Sequence, residues 1–214
     1  MKLSRRQLLV ICSILFLIVI GHLVAKIASA EMESAWIYVA LFYGAWILLS
    51  LILLLKKTEV KSLLLPGMRN ALYILPALFS IPLFVYIFMP NKHLLKWDAW
   101  LAMNIFICLV NPWLEEFYWR GLISKVFKNT PVLSFILSAV GFAASHPIIF
   151  GVNSPGARGL PALFGAFVIG AIWWICLHKT KSLRGCIITH FVIDVACMAV
   201  YVLADKIVLI KVPF

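Results

Sequence analysis

Acidic residues are scarce in this chain: eight Asp and Glu stand against 19 Lys and Arg in 214 residues. Polar surface is scarce as well. At 64% apolar and a mean hydropathy of +1.05, the chain lies outside the range of soluble globular domains, which are about 45–50% apolar. No internal repeat and no low-complexity linker is visible. That argues against transporter architectures, which commonly carry a two-fold repeat. The five cysteines form no Cys-x-x-Cys pair and read as small buried hydrophobes. His-Glu-x-x-His is absent, because the five histidines are followed by Leu, Leu, Pro, Lys and Phe. There is no Gly-x-Ser-Gly of the rhomboid kind and no intramembrane Gly-Asp pair of the presenilin kind.

What the chain has is long apolar runs. A helix needs roughly 20 apolar residues to cross the hydrocarbon. By that measure seven spans are expected, at about 7–27, 35–55, 71–90, 97–121, 131–149, 161–178 and 185–204. The runs lack period-2 alternation, so helices rather than a closed barrel satisfy the backbone in lipid. The expected fold class is all-α, a polytopic membrane helical bundle.

The net charge of +11 would suit nucleic acid if it formed one solvated face, but it does not. Lys2, Arg5 and Arg6, then Lys56, Lys57, Lys61 and Arg69, then Arg120, Lys125 and Lys128, then Lys179, Lys181 and Arg184 make 13 of the 19 basic residues. They fall at the N-terminus and at every second connection. This is the positive-inside asymmetry; it puts the N-terminus in the cytoplasm and makes the bilayer, not nucleic acid, the partner. Ala28-Ser29-Ala30 resembles a signal-peptide cleavage site. The apolar run continues to Ala25 and Lys26 lies close to the cut, so an uncleaved first span is expected.

Residues 1–96 read as a structural collar of three spans, 97–204 as a catalytic core of four, and 205–214 as a short tail. In the collar, His22 is alone near a span end and reads as interfacial; Pro76 and Pro82 should kink the third span. The tryptophans of the second half, several near span ends, read as an aromatic belt. The turn-rich stretch from Gly151 to Pro161 leaves directly from His146-Pro147 and could flank a site.

The chemistry sits in three apolar segments: Glu115-Glu116-Phe-Tyr-Trp-Arg120, Phe142-Ala-Ala-Ser-His146 and His190-Phe-Val-Ile-Asp194. A charged side chain at mid-membrane costs roughly 2.5–3.5 kcal/mol on insertion scales, so several together mark a site. Helical residues four apart share a face. Glu116 and Arg120 are so placed and should pair as a brace. Glu115, rotated about 100° from Glu116, should be the free carboxylate, able to act as general base toward water or to ligate a metal. Phe142 gives an aromatic wall beside His146. Asp194 can orient His190. Glu115, His146 and His190 also make a plausible His₂Glu set for a divalent metal, zinc among the candidates. The three reach one level only if the hairpin of the fourth and fifth spans projects about two turns into the cytoplasm, so the site should open that way.

These motifs resemble the CPBP family of intramembrane metalloproteases, which comprises the CAAX prenyl protease 2 group and the bacterial Abi or bacteriocin-processing proteins. Glu115-Glu116-x-x-x-Arg120-Gly121-Leu122, Phe142-x-x-x-His146 and His190-x-x-x-Asp194 carry the resemblance, over roughly residues 97–200. Phe164-Gly165, Gly170 and Thr180-Lys-Ser182-Leu183 fit the family's lead-in to the last motif. The resemblance implies a membrane endopeptidase in which Glu115 activates water, His146 and His190 polarise the scissile carbonyl or hold a metal, and Glu116 and Arg120 brace the site. Asp194, where the family often has Asn, would support the oxyanion or orient His190. The short chain is closer to the bacterial branch, which implies a bacterial plasma membrane and a peptide or membrane-protein substrate. Two alternatives stay open: a non-catalytic immunity or scaffold protein, and a small proton-coupled transporter using the same residues as a relay.

Overall fold

The computed structural model describes residues 3–31, 35–67, 70–95, 99–153 and 158–207. Among these the chain is helical and contains no strand. The elements run α1 (Arg5–Glu31), α2 (Ala35–Leu54), α3 (Lys57–Leu63), a 3₁₀ turn (Asn70–Tyr73), α4 (Ile74–Leu83), a π-helical stretch (Phe84–Phe88), α5 (Met89–Asn91) and a 3₁₀ turn (Lys92–Leu94). There follow α6 (Ala99–Glu115), a second π-helical stretch (Glu116–Leu122), α7 (Ile123–Val126), α8 (Pro131–Asn153), α9 (Leu160–Thr180) and α10 (Arg184–Ile207).

Five stretches among the described residues are long and apolar enough to cross a membrane: Arg5–Ala30, Ala35–Leu54, Ala71–Asn91, Pro131–Val152 and Leu160–Thr180. The expected spans at 97–121, described from Ala99, and 185–204 are helical over their described residues, and they are the two that carry the carboxylates of the site. Pro82 lies inside α4, and the π-helical stretch begins two residues later.

The inner and outer faces explain each other. Val10, Ile14 and Leu17 of α1 and Val39, Tyr43 and Ile47 of α2 are buried at helical spacing. They pack with Phe142 and Ile148 of α8 and Trp173 of α9 in the main core. The opposite faces carry Leu15, Leu41, Leu53 and Phe164, each more than half exposed. A soluble protein does not leave such a continuous apolar surface bare; lipid is the solvent that matches it. The molecule is an integral membrane protein.

Polar clamps hold the helix ends. Arg6 of α1 donates to the Leu54 carbonyl at 2.9 Å and to Glu59 of α3 at 2.9 Å. The Leu183 N–H donates to the Leu63 carbonyl at 2.9 Å, tying α3 to the start of α10. The α9–α10 turn is closed by Lys181, whose φ of 62° is left-handed. The Arg6 guanidinium holds the Glu59 carboxyl below its ordinary 4.5. The clamp is therefore complete above that value and is lost as pH falls through the depressed one. On acidification below about pH 4.5 the thermal midpoint of wild type should fall more than that of Glu59→Gln. The difference should be small, because a solvent-screened pair is worth at most about 1 kcal/mol.

Gly185 registers α10 against the 3₁₀ turn at Asn70–Tyr73. A Cβ there would stand 2.1 Å from Tyr73 Cδ1. The ring cannot swing away freely, because its hydroxyl donates to Thr180 Oγ1 and the Ser182 carbonyl, each at 3.2 Å. Gly185→Ala should destabilise the protein by about 1–3 kcal/mol, read as a lower unfolding midpoint of the purified protein. An unchanged midpoint would show that Tyr73 is not fixed there.

Candidate active site

Pro112 lies inside α6, and just beyond it the helix widens into the π-helical stretch Glu116–Leu122. A π turn bonds i to i+5 and recurs at functional sites. Glu115 keeps ordinary helical dihedrals (φ −69°, ψ −43°), so the two adjacent glutamates diverge, yet both reach His190, one at each ring nitrogen. Glu116 Oε1 lies 2.9 Å from Nδ1, and Glu115 Oε2 lies 3.3 Å from Nε2. Asp194 adds a third carboxylate, with Oδ1 3.4 Å from Nε2. The division expected from spacing, with Glu116 bracing Arg120 and Glu115 standing alone, is therefore incomplete. Glu116 does pair with Arg120, at 3.2 Å, but the same oxygen also binds His190.

Every member of this cluster is out of solvent: Glu115, Glu116 and Arg120 are 0% exposed, His190 1% and Asp194 7%. Buried charges persist only when paired, and the pairing is three carboxylates around one imidazole and one guanidinium. Arg120 makes no hydrogen bond of ordinary geometry from Nε, Nη1 or Nη2. Its plane lies over aromatic rings instead, 4.0 Å from the centroid of Phe142 and 4.9 Å from that of Trp173. Gly170 leaves room for this, since a Cβ there would sit 3.0 Å from both Arg120 Nη2 and Phe142 Cδ1.

Phe142 is the hub of the apolar wall. His146 packs against it at 4.7 Å, His190 at 5.9 Å and Trp173 at 5.9 Å. Trp173 stacks on His190 at 4.3 Å and 21°. Trp119 and Trp173 are buried at the site, not in an interfacial belt. Trp119, in the π-helical stretch, donates its N–H to the Tyr43 hydroxyl at 3.3 Å, and Trp173 is held by its N–H to Thr189 Oγ1 at 3.0 Å. Trp113, half exposed, keeps the belt reading. His146 lies near the Phe142 carbonyl, yet its buried Nδ1 makes no hydrogen bond of ordinary geometry.

Two partners of Glu115 were not read from the sequence. Asn111 Nδ2 donates to Oε2 at 3.0 Å, and the Tyr43 hydroxyl donates to Oε1. Asn111 precedes Glu115 by one helical turn, a spacing visible in the sequence. Tyr43 lies in the second span, and nothing local marks it. His22, expected at an interface, is half buried, and its Nε2 meets the Ala144 carbonyl of α8 at 2.9 Å. The turn-rich stretch does not leave directly from His146-Pro147, because α8 continues through Pro147 to Asn153; residues 154–157 beyond it lie outside the described residues, as does 208–214 of the tail.

The residues as placed do not fit a metal. Among the described residues no group of three His, Cys, Asp or Glu could hold one. His190 has both nitrogens turned to carboxylates, and Glu115 has both oxygens engaged by Tyr43 and Asn111. The expected Glu115, His146 and His190 ligand set would require His190 to leave its partners.

An apolar cleft of about 330 Å³ opens between α2 and α6, lined by Trp36, Leu41, Phe106 and Leu114, with Tyr43 and Asn111 among its walls.

Residues 97–196 match the family model described as type II CAAX prenyl endopeptidase Rce1-like. The matched segment holds Glu115, Glu116, Arg120, Phe142, His146, His190 and Asp194. This segment, 100 of the chain's 214 residues, is similar to the Rce1-like group, and the match supports a CPBP-family protease. No curated protein and no solved structure matches the chain.

Proposed function

We propose that this protein is an intramembrane endopeptidase that hydrolyses a peptide bond in a membrane-associated peptide or protein. The observation that carries the reading is a fully buried carboxylate, Glu115, 3.3 Å from His190 Nε2 and held by Tyr43 and Asn111, with Phe142 packing against both His190 and His146. In this reading Glu115 takes a proton from water as the water oxygen attacks the scissile carbonyl. The carbonyl oxygen gains negative charge and is met by an N–H donor from His146, which a dry site makes effective; His190, with both nitrogens on carboxylates, positions Glu115 and would polarise the carbonyl only by leaving them. The proton then passes to the leaving amine as the C–N bond breaks. Glu116 fixes His190 through Nδ1, and Asp194 orients it from the Nε2 side. Arg120 balances Glu116.

The family description supports a CAAX-type substrate, and the apolar cleft beside Glu115 is consistent with one that arrives from lipid. The basic N-terminus and alternate connections support a cytoplasmic N-terminus and a site that opens toward the cytoplasm. A divalent ion, zinc among the candidates, would enter this scheme only with a rearranged His190, so no step is routed through it. The test compares new peptide termini in membranes holding wild type or Glu115→Gln at equal abundance.

A further inference from the structure

We propose that Tyr43 is a positioning residue for Glu115, which makes α2 part of the catalytic unit; this rests on the reading of Glu115 as the base. Tyr43 lies 72 residues before Glu115 and outside the segment 97–196 that matches the family. The sequence assigns it to the collar. In the structure its ring is 1% exposed and its hydroxyl is at Glu115 Oε1.

The direction of that hydrogen bond follows from counting protons. Trp119 Nε1, which can only donate, points at the Tyr43 oxygen from 3.3 Å. Ser145 Oγ is 3.2 Å from the same oxygen, but its proton is taken by the Phe142 carbonyl at 2.8 Å. The Tyr43 proton is left for the carboxylate. Oε1 is thereby tied to α2, while Oε2 receives Asn111 and faces His190 Nε2. The two oxygens are no longer equivalent. The carboxylate plane is set by a rigid phenol anchored from α2, and its rotation about the last side-chain bond is blocked. A base that must aim a lone pair at one water gains from this, because small misplacements of reacting groups are expensive in rate.

The surroundings support a functional assignment over simple packing. Tyr43 and Asn111 both line the apolar cleft between α2 and α6. A group entering there meets the two side chains that hold Glu115 before it meets Glu115 itself. The neighbouring polar contact between α1, α2 and the π-helical stretch takes a different form: Ser13 bonds Ser50 and Tyr118, each at 2.8 Å, and touches no carboxylate.

The test uses the full chain in lipid and the variant Tyr43→Phe, which removes one oxygen and keeps the ring. Two readouts separate positioning from packing. The first is the Glu115 carboxylate band in isotope-edited infrared spectra, assigned as the band lost in Glu115→Gln. The second is the rate at which Glu115-dependent peptide termini appear, per folded molecule. The expected result is a shifted band together with a rate about ten- to a hundredfold lower. An unshifted band in Tyr43→Phe overturns the proposal, and so does a wild-type rate. If Glu115→Gln yields the same termini as wild type, the endopeptidase reading fails first, and this proposal falls with it. If termini depend on Glu115 but not on Tyr43, only the proposal falls.

Discussion

Glu115→Gln is expected to remove the wild-type-dependent peptide termini while leaving the protein's abundance unchanged. The argument for lost activity is chemical: an amide cannot take the proton of the attacking water, and general bases contribute roughly 10²–10⁴-fold. The argument for an intact fold is structural. Glutamine keeps the size, and its amide oxygen can accept from Tyr43. Asn111 can rotate its own amide to present oxygen instead of nitrogen, so the contacts to Tyr43 and Asn111 find replacements, and His190 Nε2, which loses its contact to Glu115, keeps Asp194 Oδ1 at 3.4 Å. The measurement is a comparison of terminal peptides at matched protein level. Termini seen only with wild type establish the endopeptidase and report its cleavage site. Identical profiles, with the phenotype retained, would move the reading to a non-catalytic immunity or scaffold protein.

Arg120→Ala is expected to do the reverse, lowering the amount of folded protein before any effect on turnover is measured. Arg120 is fully buried and ion-paired to Glu116 at 3.2 Å. Removing one partner of a buried pair costs about 3–5 kcal/mol, because the other is left charged and unbalanced. The truncation also empties the space between Phe142 and Trp173, against which the guanidinium is stacked. Against a total stability of roughly 5–15 kcal/mol, such a loss should show as low abundance and a sharply lower unfolding midpoint. Arg120→Lys should recover only part of it, since a lysine keeps the charge but not the planar stacking. Wild-type abundance and midpoint in Arg120→Ala would remove the brace role.

Much of this was legible in the sequence. The helical class follows from runs of apolar residues too long and too even for strands. The expected span at 131–149 falls inside α8 (Pro131–Asn153), and that at 161–178 inside α9 (Leu160–Thr180). The structure brings Glu115, Glu116, Arg120, His190 and Asp194 into direct contact, and Phe142 joins His146 to His190. What was not legible has physical causes. The spacing argument placed Glu116 with Arg120 on one helix, but spacing within a helix says nothing of an imidazole 74 positions away that reaches the same oxygen. Trp119 and Trp173 resemble belt residues because an aromatic near a span end looks the same whether it faces headgroups or a core. Tyr43 was hidden because a tyrosine in an apolar helix has no local pattern, and its partner lies 72 residues away.

The three-carboxylate ring around His190 also bears on how the protein is made. Glu116 and His190 are 74 positions apart, so at roughly 5–20 residues per second the acidic pair waits about 4–15 s for its histidine. During that interval Arg120, in the same stretch, is the cation already at hand, and Tyr43 has emerged earlier still. α10 thus brings both the imidazole and the third carboxylate, so the cluster closes only when that helix packs against the π-helical stretch.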